Sequence, residues 1–156
     1  FFVSLPQYRI PQNGTFATYS TSNNMEAASD SLGGTQLLAA GSTSIYISKA
    51  NFTESSRGTP SIGDLFTIDG INSNHKKAYM VTRVETNSDY YTGTTRPSST
   101  QVKLHFTPGL AKSLTVGDDI IFNNPLIKVV LTNDIQEYSL GVNGLYQFGL
   151  QLEEVQ

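Results

Sequence analysis

The chain is 156 residues long, carries a formal charge of −3 and contains no cysteine. That length suits one domain able to bury a core without staples, and the missing thiols exclude disulfides and thiolate metal sites. Charged residues make up only 15%, so the 17 Ser, 17 Thr and 11 Asn must supply most of the polar surface. Such a balance suits an extracellular or particle-borne β-protein better than a cytoplasmic enzyme. The acidic charge argues against specific nucleic acid binding, which needs clustered Lys and Arg. No apolar run approaches the roughly 20 residues that membrane insertion as a helix requires.

Residues 1–44 read as an extended N-terminal arm and residues 45–156 as a β-barrel or sandwich domain. Pro6 and Pro11 hold the start extended and keep it out of a central strand. Asn13-Gly14 signals a turn, and Thr15–Tyr19 has the composition of a short strand. Asn24 stands where it would cap a helical turn over Met25–Ala28. Phe1, Phe2, Tyr8 and Phe16 are many aromatics for a solvated tail. The segment is therefore read either as a frayed leader or as an arm that orders against a neighbouring subunit through those rings.

Strands begin with Ser44–Ser48, and one phrase then occurs twice. Ile62-Gly63-Asp64 leads into Leu65-Phe66-Thr67-Ile68, and Val116-Gly117-Asp118 leads into Asp119-Ile120-Ile121-Phe122. Glycine permits the positive φ of a tight turn, and aspartate can accept from backbone amides beside it. Between the copies, Ala78–Glu85 sets Tyr79, Val81 and Arg83 on one face against Met80, Thr82 and Val84. Gln101–Thr107 turns Val102, Leu104 and Phe106 inward and Lys103 and His105 outward. Asn87–Ser99 is a long loop holding Tyr90 and Tyr91, a possible contact for a sugar or a protein. Leu126–Leu131 is the most apolar strand, and Gln136–Leu140 and Leu145–Leu152 form a hairpin across Gly141–Gly144. The expected fold class is all-β, a compact β-barrel or sandwich with an extended N-terminal arm.

Reactive constellations are sparse. His75 and His105 lack partners at metal-ligand spacing. Asp64, Asp69, Asp118 and Asp119 are the carboxylates on which a glycosidase-like pair would draw. Asp64, Asp69 and Asp118 each stand beside Gly and Asp119 follows Asp118, in turns where aspartate serves the backbone. No phosphate-cradling Gly-rich loop precedes a helix. No catalytic residue, cofactor site or metal site is read, and the chain is expected not to be an enzyme.

Several stretches together resemble a pattern frequent in bacteriophage virion proteins. They are Ala40-Gly41-Ser42-Thr43, Ile62–Ile68, Tyr79–Thr82, Phe106-Thr107-Pro108-Gly109-Leu110 and Val116-Gly117-Asp118. The ending Gly144–Val155 is similar to the last strands of phage tail and baseplate components. The resemblance covers half to two-thirds of the chain, excludes the leader and supplies no functional residues. It implies a structural subunit located in the virion, in the tail tube, baseplate or neck. Its partners would be copies of itself, in rings or stacked layers, and other virion proteins, joined through β-edges and the arm. A capsid decoration protein and a carbohydrate-binding receptor module using Tyr90 and Tyr91 are the alternative readings, and a hydrolase with a spatial carboxylate pair ranks last.

Overall fold

A computed structural model describes residues 1–29, 38–69, 75, 77–89, 97–132 and 151–154, and the backbone of 138–140 and 146–148. In chain order it contains β1 (Phe2–Val3), a 3-10 turn at Pro6–Tyr8, α1 (Gly14–Ser20), β2 (Met25–Ala27) and β3 (Ser44–Ser48). Next come the single-turn α2 (Glu54–Arg57), β4 (Leu65–Asp69), β5 (Ala78–Glu85) and a 3-10 turn at Asn87–Asp89. The remainder is β6 (Gln101–Thr107), β7 (Asp119–Ile121), β8 (Ile127–Leu131), β9 (Tyr138–Leu140), β10 (Tyr146–Phe148) and β11 (Leu152–Glu154).

Six of these strands close into an antiparallel barrel in the order β2-β3-β6-β5-β4-β7. The all-β expectation holds, and of barrel or sandwich the chain forms the barrel. Period-two alternation fills its interior. Phe66 and Ile68 of β4, Tyr79 and Val81 of β5, Val102, Leu104 and Phe106 of β6, and Ile120 of β7 are all buried. Phe66 is the hub of this core. Its ring centroid lies 5.4 Å from each of those of Tyr79, Phe106 and Phe122, and aromatic contacts of this kind stabilise beyond area burial alone.

The two copies of the repeated phrase lie side by side and antiparallel. Thr67 and Ile121 hold the same place in their copies and face each other across the β4–β7 pair. A local two-fold axis therefore passes between them, with Ile68 and Ile120 inward on one side and Phe66 and Phe122 inward on the other.

Residues 1–29 differ from the expected extended arm, because they fold against the barrel and enter its wall. Thr15–Tyr19 is helical rather than a strand. The Asn13 side chain accepts from the N–H groups of Thr15 and Phe16 and so caps α1. That places Phe16, Tyr19 and Ser20 on one buried stripe at helical spacing. Phe16 joins the core edge-on to Phe122, with centroids 5.3 Å apart. Met25–Ala27, read as a helical turn, is strand β2 and bridges β3 and β7. Long-range pairing there overrides a weak local preference. A barrel strand thus arises before residue 44.

Leu126–Leu131 lies outside the barrel as β8, at the centre of a second sheet in the order β1-β8-β11. The hairpin across Gly141–Gly144 is present as β9 and β10, with Gln147 opposite Ser139. Its second arm is shorter than expected, since Leu152–Glu154 pairs with β8 instead.

Phe66→Ala should cost about 3–5 kcal/mol of unfolding free energy, the usual range for a large aromatic removed from a packed core. Urea denaturation followed by circular dichroism measures it. A loss below about 1 kcal/mol would show that the ring cluster does not centre the core.

Candidate functional site

Each Gly-Asp turn is a small machine for the backbone. Gly63 and Gly117 have φ of +91° and +95°, which glycine tolerates and other residues rarely adopt. Asp64 Oδ2 accepts from Ser61 N–H at 2.8 Å, and Asp118 Oδ2 accepts from Thr115 N–H at 3.0 Å. In return the Asp64 and Asp118 amides donate to the carbonyls of Ser61 and Thr115. Both turns also dock on a neighbouring strand in the same way. Gly63 N–H donates to Val81 while Val81 N–H donates to Asp64, and Gly117 and Asp118 treat Ala27 alike. Both aspartates are buried, and both carboxylates serve the backbone. Asp69 and Asp119, the other two carboxylates considered for chemistry, sit opposite each other at the ends of β4 and β7.

The aromatics proposed for assembly part company. Phe16 is fully buried in the core, so it is not available to a partner, and Tyr8 is half-buried in the first 3-10 turn. Phe1 and Phe2 are 78% and 65% exposed at the β1 edge of the second sheet. Residues facing each other across a ladder share a face. Phe2 with Lys128, and Glu153 with Val130, therefore form the outer face of that sheet. Val129 and Glu154 form the inner face. Val129 is buried, and Glu154 Oε1 accepts from Ala78 N–H at 2.8 Å, tying the sheet to the start of β5. Five of the nine large apolar residues exposed among the described residues lie on this sheet or beside it: Phe1, Phe2, Leu126, Val130 and Leu152. Apolar exposure is thus concentrated, which is the pattern of an interaction surface. Among the described residues nothing pairs with the outer edges of β1 and β11. Tyr90 and Tyr91 lie outside the described residues.

A charge cluster that the sequence reading missed sits on the outer wall. Strict alternation would send Arg83 and Glu85 into the barrel behind Tyr79 and Val81. A bulge between Val81 and Arg83 reverses the faces, so Val84 packs on the core and both charges point out. Glu85 is nevertheless buried, because Arg83, Lys103 and His105 cover it. Arg83 Nη2 and His105 Nε2 lie 3.0 Å from its Oε1, and Lys103 Nζ lies 3.7 Å from its Oε2. Lys103 also stands over the Tyr46 ring, 5.7 Å from its centroid. The one hint in the sequence was the run of charged outward positions on β6, since nothing in a linear pattern announces a bulge.

His75 sits against Tyr79. Tyr79 Oη accepts from Ala111 N–H at 3.0 Å and is hydrogen-bonded to His75 Nδ1 at 3.1 Å. His75 Nε2 is buried with no close hydrogen-bond partner among the described residues. Burial pushes the His75 pKa below its ordinary value, against the pull of the Ser113 backbone and the Asp118 carboxylate. Beside α1 opens a cleft of about 600 Å³ lined by Thr15, Thr18, Tyr19, Ser22, Asn51 and Arg57. The Arg57 guanidinium stands 5.5 Å from the Tyr19 ring centroid there. Among the described residues no three His, Asp or Glu side chains converge as a metal site. No protein-family model matches this chain, and no curated protein is significantly similar to it.

Two measurements probe this geometry. Among the described residues, Asp64 holds the N–H groups of Gln12 and Ser61, whereas Asp118 holds that of Thr115. Asp64→Ala should therefore destabilise more than Asp118→Ala, by about 1–3 kcal/mol for the extra stranded donor, and equal losses in urea titrations would contradict this. Because the folded pKa of His75 is lowered, the unfolded chain binds more protons just below pH 6.5. Stability should fall as pH drops through that region, and His75→Gln should flatten the dependence. A slope unchanged in the variant would remove His75 as its source.

Proposed function

We propose that this chain is a non-enzymatic structural subunit of a phage particle, assembling with copies of itself in the tail tube, baseplate or neck. The observation that carries the assembly half is the β1-β8-β11 sheet, with Phe2 and Val130 on its outer face and two edges on which no described strand pairs. A closed barrel has no edge to offer, whereas a short three-stranded sheet has two. Strand addition at such an edge, with the exposed apolar side chains packing across the join, is an established mode of subunit pairing. Placement in a virion rests on the resemblance carried by the two Gly-Asp phrases and the strands between them. Deleting residues 1–44 does not test an assembly arm, since it removes β2 from the barrel wall.

Sedimentation velocity should show a defined oligomer or a polymer. The double variant Phe2→Asp with Val130→Lys should sediment as a monomer with unchanged circular dichroism. A parent chain that stays monomeric at high concentration would refute the reading.

The runner-up is a carbohydrate-binding receptor module, favoured by the hydroxyl-, amide- and guanidinium-lined cleft beside Tyr19. Glycan-array binding by a monomer, abolished in Arg57→Ala, would decide for it.

A further inference from the structure

The two Gly-Asp turns are built alike but are not filled alike. Over the first lies a stretch of the chain's own leader. Gln12 N–H donates to Asp64 Oδ1 at 3.0 Å, and the Gln12 side-chain amide donates to the Ile62 carbonyl at 3.1 Å. The same amide covers Gly63, standing 3.2 Å from where a Cβ would be. An extended segment is thus read twice, through its backbone by the carboxylate and through its primary amide by a carbonyl.

At the second turn both reading groups are present, and no described residue is bound to them in the way Gln12 is bound at the first. Asp118 spends Oδ2 on Thr115, as Asp64 does on Ser61, while its Oδ1 has no partner among the described residues. No described residue lies within 4 Å of a Cβ built on Gly117. Beside the turn opens a groove of about 270 Å³ lined by Ala28, Ser29, Lys49, Gln101, Val116 and Gly117. The local two-fold axis between Thr67 and Ile121 relates this turn to the one that Gln12 covers.

We propose that this groove receives an extended peptide segment of another subunit, bound at Val116–Asp118 as Gln12 is bound at Ile62–Asp64. A backbone N–H of the segment donates to Asp118 Oδ1, and a Gln or Asn side-chain amide donates to the Val116 carbonyl. The two acceptors select a ligand that presents two donors. A segment with Glu at the amide position is rejected, because it would set a carboxylate against a carbonyl and close to Asp118. Assembly, as argued under Proposed function, supplies only the source of the segment; the site itself stands on the pairing of the two turns.

The test titrates the isotopically labelled full chain with a synthetic peptide of residues 8–14, Tyr-Arg-Ile-Pro-Gln-Asn-Gly, which is known to fit the first turn. Amide shifts of Ala28, Val116, Gly117 and Asp118 should move and saturate. A peptide methylated on the Gln12 backbone nitrogen, and a Gln12→Glu peptide, should each bind about tenfold more weakly, the cost of one charge-assisted or stranded hydrogen bond. No saturating shift at the second turn, shifts confined to residues 61–64, or equal binding of all three peptides would overturn the proposal. Sedimentation of the same samples separates the two ideas. Peptide binding by a chain that stays monomeric upholds the groove and refutes self-assembly, whereas assembly without peptide binding refutes the groove.

Discussion

Where a chain enters the wall of a closed barrel it must turn sharply, and every backbone donor it turns under must find an acceptor. Here two buried carboxylates meet that demand. Asp64 and Asp118 each close a turn whose glycine takes a φ near +90°, and each turn then exchanges a pair of hydrogen bonds with a neighbouring strand. Those exchanges lock β4 against β5 and β7 against β2. Register follows from them, and with it the side chains that point inward. A slip by one residue would turn Phe66, Ile68, Ile120 and Phe122 out of the core together.

The interior so defined is aromatic and apolar, and charge has to be kept out of it. The bulge in β5 does this at the cost of one ladder irregularity, moving Arg83 and Glu85 to the outer wall and giving Val84 to the core. Once outside, Glu85 is covered by Arg83, Lys103 and His105, so its burial is compensated on every side the structure shows. His75 is the opposite case. It lies buried beside Tyr79, and that burial lowers its pKa and so disfavours the charged ring.

Stability and interaction are divided between two sheets. The barrel closes on itself and presents no edge, which protects it from unwanted pairing. The β1-β8-β11 sheet does the reverse. Its centre is the most apolar strand of the chain, its outer face carries Phe2 and Val130, and Glu154 anchors it to the barrel. The turn-bound leader links the two parts, since the segment that begins as β1 goes on to lie across Asp64 and to cap α1 through Asn13.

Much of the barrel was legible in the linear pattern, because its signals are local. Alternation marked β3, β5 and β6, and the repeated Gly-Asp phrase marked β4 and β7, since backbone conformation at glycine and the reach of an aspartate side chain are properties of a few adjacent residues. What depends on distant partners was not legible. Whether Thr15–Tyr19 becomes helix or strand turns on Phe16 finding Phe122, and Met25–Ala27 becomes a strand because β3 and β7 stand ready on both sides. The direction of Arg83 depends on a bulge, the closure of the sheet on β2 meeting β7, and the difference between the two turns on where Gln12 comes to rest. Local chemistry decided the turns and the alternation, whereas only packing between residues far apart in sequence could decide that Gln12 covers the first turn.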